Sequence, residues 1–132
     1  MDGGIAMKTE IEIEIDNAVY EGHIDDERSP ETAKMLLDSL PVSGAPVSWG
    51  GEFYFKVPFH IDDENATGKL EVGDIGFWPP GDVLCIFFGR TPMSVDDRPV
   101  PASAVNVVGR MFESQKLIEI GKPSAITIRV KP

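Results

Sequence analysis

The sequence predicts a mainly β fold, a small closed antiparallel barrel carrying one clear α-helix, and three stretches support this. In Thr9–Ile15 the isoleucines Ile11, Ile13 and Ile15 alternate with Glu10, Glu12 and Glu14, the period of a half-buried strand with a carboxylate face. Near the other end Ile126, Ile128 and Val130 alternate with Thr127, Arg129 and Lys131, giving a cationic polar face. Opposite charges on facing strands attract, so the first and last strands are expected to pair and close the sheet. The third stretch is GDIGFWPPGDVLCIFF, read as strands Gly73–Trp78 and Val83–Phe88. Val83, Cys85 and Phe87 point to one face and Leu84, Ile86 and Phe88 to the other. Both faces are apolar, so this hairpin is expected between two layers.

Taken in order, Asp16-Asn17 supplies a turn and Ala18–Ile24 returns as the second strand of a hairpin. The acidic loop Asp25–Arg28 leads to Ser29 as N-cap and Pro30 at the first helical position. Ala33, Leu36, Leu37 and Leu40 then share one helical face until Pro41 ends the helix. Val42–Pro46 reads as loop and Val47–Val57 as one strand, in which Gly50-Gly51 signals a bulge or a close backbone approach. Phe59–Lys69 reads as a polar loop or wide hairpin end. In the central turn Pro79 and Pro80 lack N–H donors, Gly81 admits a positive φ and Asp82 can bond its local backbone. A charged, proline-rich loop precedes the strand Ala104–Met111. Phe112–Ile118 reads as a short second helix, and Gly121-Lys122-Pro123 turns into the last strand.

The chain has 132 residues, enough for one domain, expected over residues 8–132, that buries roughly two thirds of its unfolded surface without a metal or disulfide. Residues 1–7 break the strand pattern and read as a disordered lead-in, or Met7 is the true start. A net charge of −10 speaks against nucleic acid and anionic membranes as partners. Cys85 is the one cysteine, which fits a reducing compartment. There is no cationic leader followed by an apolar run, so a cytoplasmic location is expected. Neither a cofactor nor a metal is expected, and monomer and homodimer both stay open.

Several motifs resemble a known family. IEIDNAVYEGHI followed by an acidic loop and SPETA, and CIFFGRTP followed by NVVGRMFE, are similar to stretches of cyclophilins. The likeness is closer to a small prokaryotic family of cyclophilin-like proteins of unassigned activity. It rests on WGGEFYF (Trp49–Phe55), GDIGFWPPGDVLCIFFGRTPMS (Gly73–Ser94) and PASAVNV (Pro101–Val107). The resemblance implies about eight strands with helices capping the barrel ends. Cyclophilins isomerise prolyl amides, lowering a barrier of ~18–20 kcal/mol with an apolar pocket and an arginine over the twisted amide. Their phenylalanine-histidine-arginine motif and nearby glutamine have no counterpart in VSWGGEFYFKVPF, so no catalytic residue is assigned.

What the resemblance implies instead is a groove for a small ligand or an extended, proline-containing peptide. Its residues would be Trp49, Glu52, Tyr54, Trp78, Phe87, Thr91, Ser103 and Asn106, which combine aromatic area with polar handles. Trp49, Trp78 and Phe87 equally suit core filling, and Asn106 local backbone satisfaction. Glu52 stands apart, because a carboxylate amid WGGEFYF must be solvated or paired. An isomerase with a rearranged site and an assembly module without catalysis are the alternatives. Asp63, Asn65, Thr67, Gly68, Leu70 and Asp74 fall at calcium-loop spacing, but strand flanks and a final Asp explain them as well by a polar hairpin loop. Cys85, in an apolar run, reads as an inert buried thiol. His23 is expected on the solvated face and His60 in a loop; with one cysteine they show no zinc-ligand spacing.

Overall fold

The computed structural model describes residues 7–132; of the lead-in expected at residues 1–7, all but Met7 lies outside the described residues. The elements run β1 (Lys8–Ile15), β2 (Ala18–Asp25), α1 (Pro30–Ser39), β3 (Val42–Gly44), β4 (Val47–Ser48), β5 (Glu52–Lys56), β6 (Asp74–Trp78), β7 (Val83–Phe87), β8 (Asn106–Met111) and β9 (Ile126–Val130). They form one sheet in the order β3-β9-β1-β2-β8-β6-β7-β5-β4. Asp16 and Asn17 turn β1 into β2 with φ of 47° and 76°, the left-handed pair a two-residue hairpin needs and that Asp and Asn tolerate. No helix among the described residues is long and apolar enough to cross a membrane.

The first and last strands pair as expected. β1 and β9 are antiparallel with Glu12 opposite Arg129. Arg129 Nε donates to Glu12 at 3.0 Å and Nη1 to Glu14 at 2.8 Å, while Lys131 lies 3.0 Å from Glu21. Closure into a barrel of about eight strands is not what forms. The sheet is an open, strongly curled half-barrel of nine strands. Its edges are β3 and β4, neighbours in sequence that do not pair. Pro41 and Pro46 flank β3 and remove backbone donors there. Gly44 sits under the Phe55 ring, where a Cβ would lie 3.1 Å from Cδ2, so β3 meets a side chain of β5 rather than a backbone.

The curl encloses the main core. Ile11, Ile13, Ile15, Phe53, Phe55, Ile75, Phe77, Leu84 and Ile86 are buried there, joined by Ala33 and Leu36 of α1 and by Leu117. Each large side chain so buried contributes about 1.5–3 kcal/mol. Of the predicted helical face, Ala33 and Leu36 are fully covered, whereas Leu37 and Leu40 are partly exposed at its margin.

Local differences from the sequence reading have local causes. Ser29 precedes α1 as expected but makes no capping bond with its side chain. The cap comes from Glu64, a residue distant in sequence. Its carboxylate accepts from the N–H of Glu31 at 2.9 Å, the N–H of Thr32 at 2.8 Å and the Thr32 hydroxyl at 2.7 Å. The stretch read as loop at Val42–Pro46 contains β3. The single strand expected over Val47–Val57 is a tight hairpin, β4 to β5, with Trp49 N–H donating to Glu52 O at 2.8 Å and Gly50 at φ 59°. In the β6–β7 turn Asp82, not Gly81, takes the left-handed conformation at φ 53°, and its carboxylate bonds His60 rather than nearby backbone. Ser114–Glu119 forms a 3-10 turn where a short helix was expected.

Candidate functional site

β5 and β7 pair in a register that sets Glu52 opposite Phe87 and Tyr54 opposite Cys85. Strand alternation places these four on the face turned away from the main core, whose own side is filled by Phe53, Phe55, Leu84 and Ile86. This outer face is roofed by the segment before β8. Val105 bridges Thr67 and, with Leu70 and Val107, buries Cys85 and Phe87 in a second, smaller core. Gly76 makes the approach possible, since a Cβ there would lie 2.8 Å from Val105 Cγ2; the β6–β8 register slips at the same point. Both faces of the central hairpin are therefore covered, as its sequence requires.

The roof is incomplete, and a cavity of about 220 Å³ remains. Trp49, Glu52, Tyr54, Trp78, Cys85 and Phe87 line it, with Val83, Pro101, Ala102 and Val105 completing its walls. Trp78 is held in place: its Nε1–H donates to Ser103 Oγ at 2.7 Å, and its ring lies against Gly81, where a Cβ would sit 2.8 Å from Cζ3. Trp49 and Glu52 are presented by the β4–β5 turn. That turn exists because Gly51 runs backbone to backbone with Gly89; a Cβ on Gly51 would lie 2.2 Å from the Gly89 carbonyl carbon. The close approach expected at Gly50-Gly51 is real, and it aims Glu52 inward.

Glu52 is 5% exposed, and no N–H or cation among the described residues reaches its carboxyl group. Burial pushes its pKa from 4.5 up to about 7, against a smaller lowering by a hydrogen bond from the Cys85 thiol, a weak donor. The thiol itself is raised well above its ordinary value, first by burial and then by the Glu52 charge. Cys85 is thus protonated at neutral pH and is no nucleophile. Glu52, in contrast, divides between its two protonation states near neutrality, so it can give up or take a proton, or act as counter-ion to a guest.

Five of the eight expected site residues, Trp49, Glu52, Tyr54, Trp78 and Phe87, line this one cavity. Ser103 stands behind it as the partner of Trp78. Thr91 and Asn106 lie elsewhere. The Thr91 hydroxyl donates to Val100 O and accepts from Met93 N–H, folding the charged loop. Asn106, wholly buried, accepts from Glu64 N–H at 2.9 Å and donates to Thr32 Oγ1 and Asp62 O at 3.1 Å each. Cys85, Val83, Pro101, Ala102 and Val105 were not singled out as cavity residues. Strand parity implied Cys85, which shares a face with Phe87, but the roof depends on a long-range approach no local pattern encodes.

Other constellations are committed within the protein. Asn65 Nδ2 donates to Arg28 O, and Thr67 Oγ1 accepts from Lys69 N–H. Asp74 takes Arg110 Nη1 at 2.6 Å. Among the described residues no group of three or more His, Cys, Asp or Glu is arranged to hold a metal ion. His23 is partly buried against Asp25 at 3.1 Å, and His60, in a loop, contacts Asp62 and Asp82. A larger cleft of about 440 Å³ runs past Lys8, His23, Asp25, Lys69 and Arg110. Its charges are of both signs and its buried acid, Asp74, is already paired with Arg110.

Comparison with known proteins places the fold. A family profile described as cyclophilin-like matches residues 9–129. The solution structure of the hypothetical protein AF2241 from Archaeoglobus fulgidus is similar, with a TM-score of 0.80 and 33% identity over 98% of this chain and 99% of that one. No curated protein matches the chain.

Proposed function

The chain belongs to the cyclophilin-like family, and from that premise we propose that it is a binding domain whose ligand enters the cavity beside Glu52. The ligand is a small molecule or one side chain of an extended peptide. The observation that carries this reading is a buried carboxyl group that lines an aromatic cavity and has the Cys85 thiol, a weak donor, as its protein partner. Burying such a group costs several kcal/mol unless something satisfies it, and a thiol does so only weakly, so the remainder falls to a group from outside or to a proton. The volume sets the guest's size: a cavity of ~150 Å³ admits benzene, so about 220 Å³ suits one side chain or head group rather than several residues. No arginine or histidine lines the cavity, so we do not extend the proposal to proline isomerisation. The unpaired, buried Cys85 is in keeping with a reducing, cytoplasmic setting.

Chemical-shift mapping against proline-containing peptides and a metabolite panel tests the proposal. Perturbations centred on Trp49, Tyr54 and Trp78 are expected for at least one ligand. A panel that leaves these three unmoved while shifting residues elsewhere overturns it.

A further inference from the structure

We infer that the guest of the Glu52 cavity carries an organic ammonium group, a primary or N-methylated amine, held by the carboxylate against the faces of Trp49, Tyr54 and Trp78. This rests on the binding reading above and names its ligand class. Three observations carry it. First, Glu52 is almost fully buried, lines the cavity and lacks a nitrogen or cationic partner among the described residues. The facing titratable groups are the Cys85 thiol on β7 and the Tyr54 phenol on its own strand, and neither supplies positive charge.

Second, the rest of the lining is rich in aromatic rings, those of Trp49, Tyr54, Trp78 and Phe87. The indole N–H of Trp78 is occupied by Ser103, so Trp78 brings aromatic area to the cavity without a free donor. Aromatic faces attract cations through their quadrupole, most strongly when the ion is desolvated, and alkylated ammonium ions suit such cages. An anionic guest would meet the same faces and the Glu52 charge with repulsion. Third, the chain's net charge of −10 favours the approach of cations to the molecule over that of anions. Carboxylate, aromatic lining and a negative net charge all select the same chemistry.

The test uses the whole chain and defined probes at pH ~8.5, where Glu52 is ionised. The probes are choline, butylammonium, the uncharged isostere of choline with tert-butyl in place of trimethylammonium, and the tert-butyl carboxylate of the same length. Tryptophan fluorescence and amide shifts report binding. The cations are expected to bind at least about tenfold more tightly than the uncharged isostere, with shifts at Trp49, Tyr54 and Trp78. Lowering the pH to ~5.5 should weaken the cations about thirtyfold, following the ionised fraction of a group titrating near 7, and leave the isostere unaffected. In Glu52→Gln, with folding checked by thermal melting, the cations should lose about tenfold or more and the isostere nothing.

The inference is overturned if the isostere binds as tightly as choline, if affinity is independent of pH, or if no cation perturbs the cavity. Binding of the isostere at Trp49, Tyr54 and Trp78 would in that case leave the ligand-binding reading standing. Silence of this set together with the peptide and metabolite panel would remove both.

Discussion

Two glutamates at the margins of the core have opposite surroundings. Glu64 lies in the loop after β5 and places its carboxylate at the start of α1, where two backbone N–H groups and the Thr32 hydroxyl donate to it. Burial works to raise its pKa, yet those three bonds outweigh it and the value is lowered. Glu52 is more deeply buried, meets only the Cys85 thiol, and is pushed up to about 7. The chain surrounds Glu64 with three donors and leaves Glu52 one weak one. A carboxylate that caps a helix is part of the architecture. One aimed into a cavity with only a weak thiol donor is a standing cost to the fold, which the binding proposed above would offset.

Four substitutions sharpen or break that contrast. The largest effect is expected at the backbone contact that aims Glu52. Gly51→Ala puts a methyl group into the Gly89 carbonyl, which no rotamer can relieve, and should cost about 3 kcal/mol or more in denaturant unfolding. A loss under about 1 kcal/mol would mean that the hairpin is not held by this contact.

Glu52→Gln should act in the other direction. The folded pKa of Glu52 lies above its unfolded value, so the unfolded state releases its proton first. Stability is therefore intact below pH 4.5, falls as pH rises to about 7, and stays reduced above. Glutamine keeps the shape without the charge, so at pH ~8 the variant should gain on the order of 3 kcal/mol. Its stability should also be flat across the window in which the parent declines. Urea unfolding at several pH values reads both, and a parent protein with no decline between those limits refutes the account of Glu52.

Glu64→Gln should behave as a lost cap. One carboxylate oxygen becomes a donor facing donors, costing about 1–2 kcal/mol at neutral pH. Because the folded pKa of Glu64 is lowered, the parent's advantage is present above the ordinary carboxylate range and disappears as acid protonates it. Equal stability of parent and variant at neutral pH would dissolve the contrast between the two acids. The smallest effect belongs to Ser103→Ala, which frees an exposed indole N–H to water. Stability should change by less than about 0.5 kcal/mol, while Trp78 emission changes as its ring loses its tether.

The strand pattern was legible wherever one face meets the core and the other meets water. The alternation in Thr9–Ile15 and Ile126–Val130 and their charge complement led directly to the β1–β9 pairing. The two-faced hairpin was equally plain, because a continuous apolar run needs cover on both sides. What the sequence concealed depends on contacts between distant segments. Glu64 as the cap of α1, Val105 as a roof over Cys85 and Phe87, and the unpaired β3–β4 boundary are all set by tertiary approach. Among site residues, Trp49, Glu52, Tyr54, Trp78 and Phe87 converge because they share one sheet face. Thr91 and Asn106 share the sequence motifs but have their polar atoms turned to loop backbone and, for Asn106, to the Thr32 hydroxyl of α1. Motif membership carried no information on which way a side chain points.

The unpaired boundary has a consequence for how this protein behaves in a crowded solution. An exposed, long edge strand recruits further strands from neighbouring molecules. Here the two rims are three and two residues long, the first flanked by Pro41 and Pro46 and joined to the second through Ala45-Pro46. Such stubs are too short to template growth, so leaving the cylinder unsealed adds little risk of self-association by strand addition, and the seam acts as its own guard.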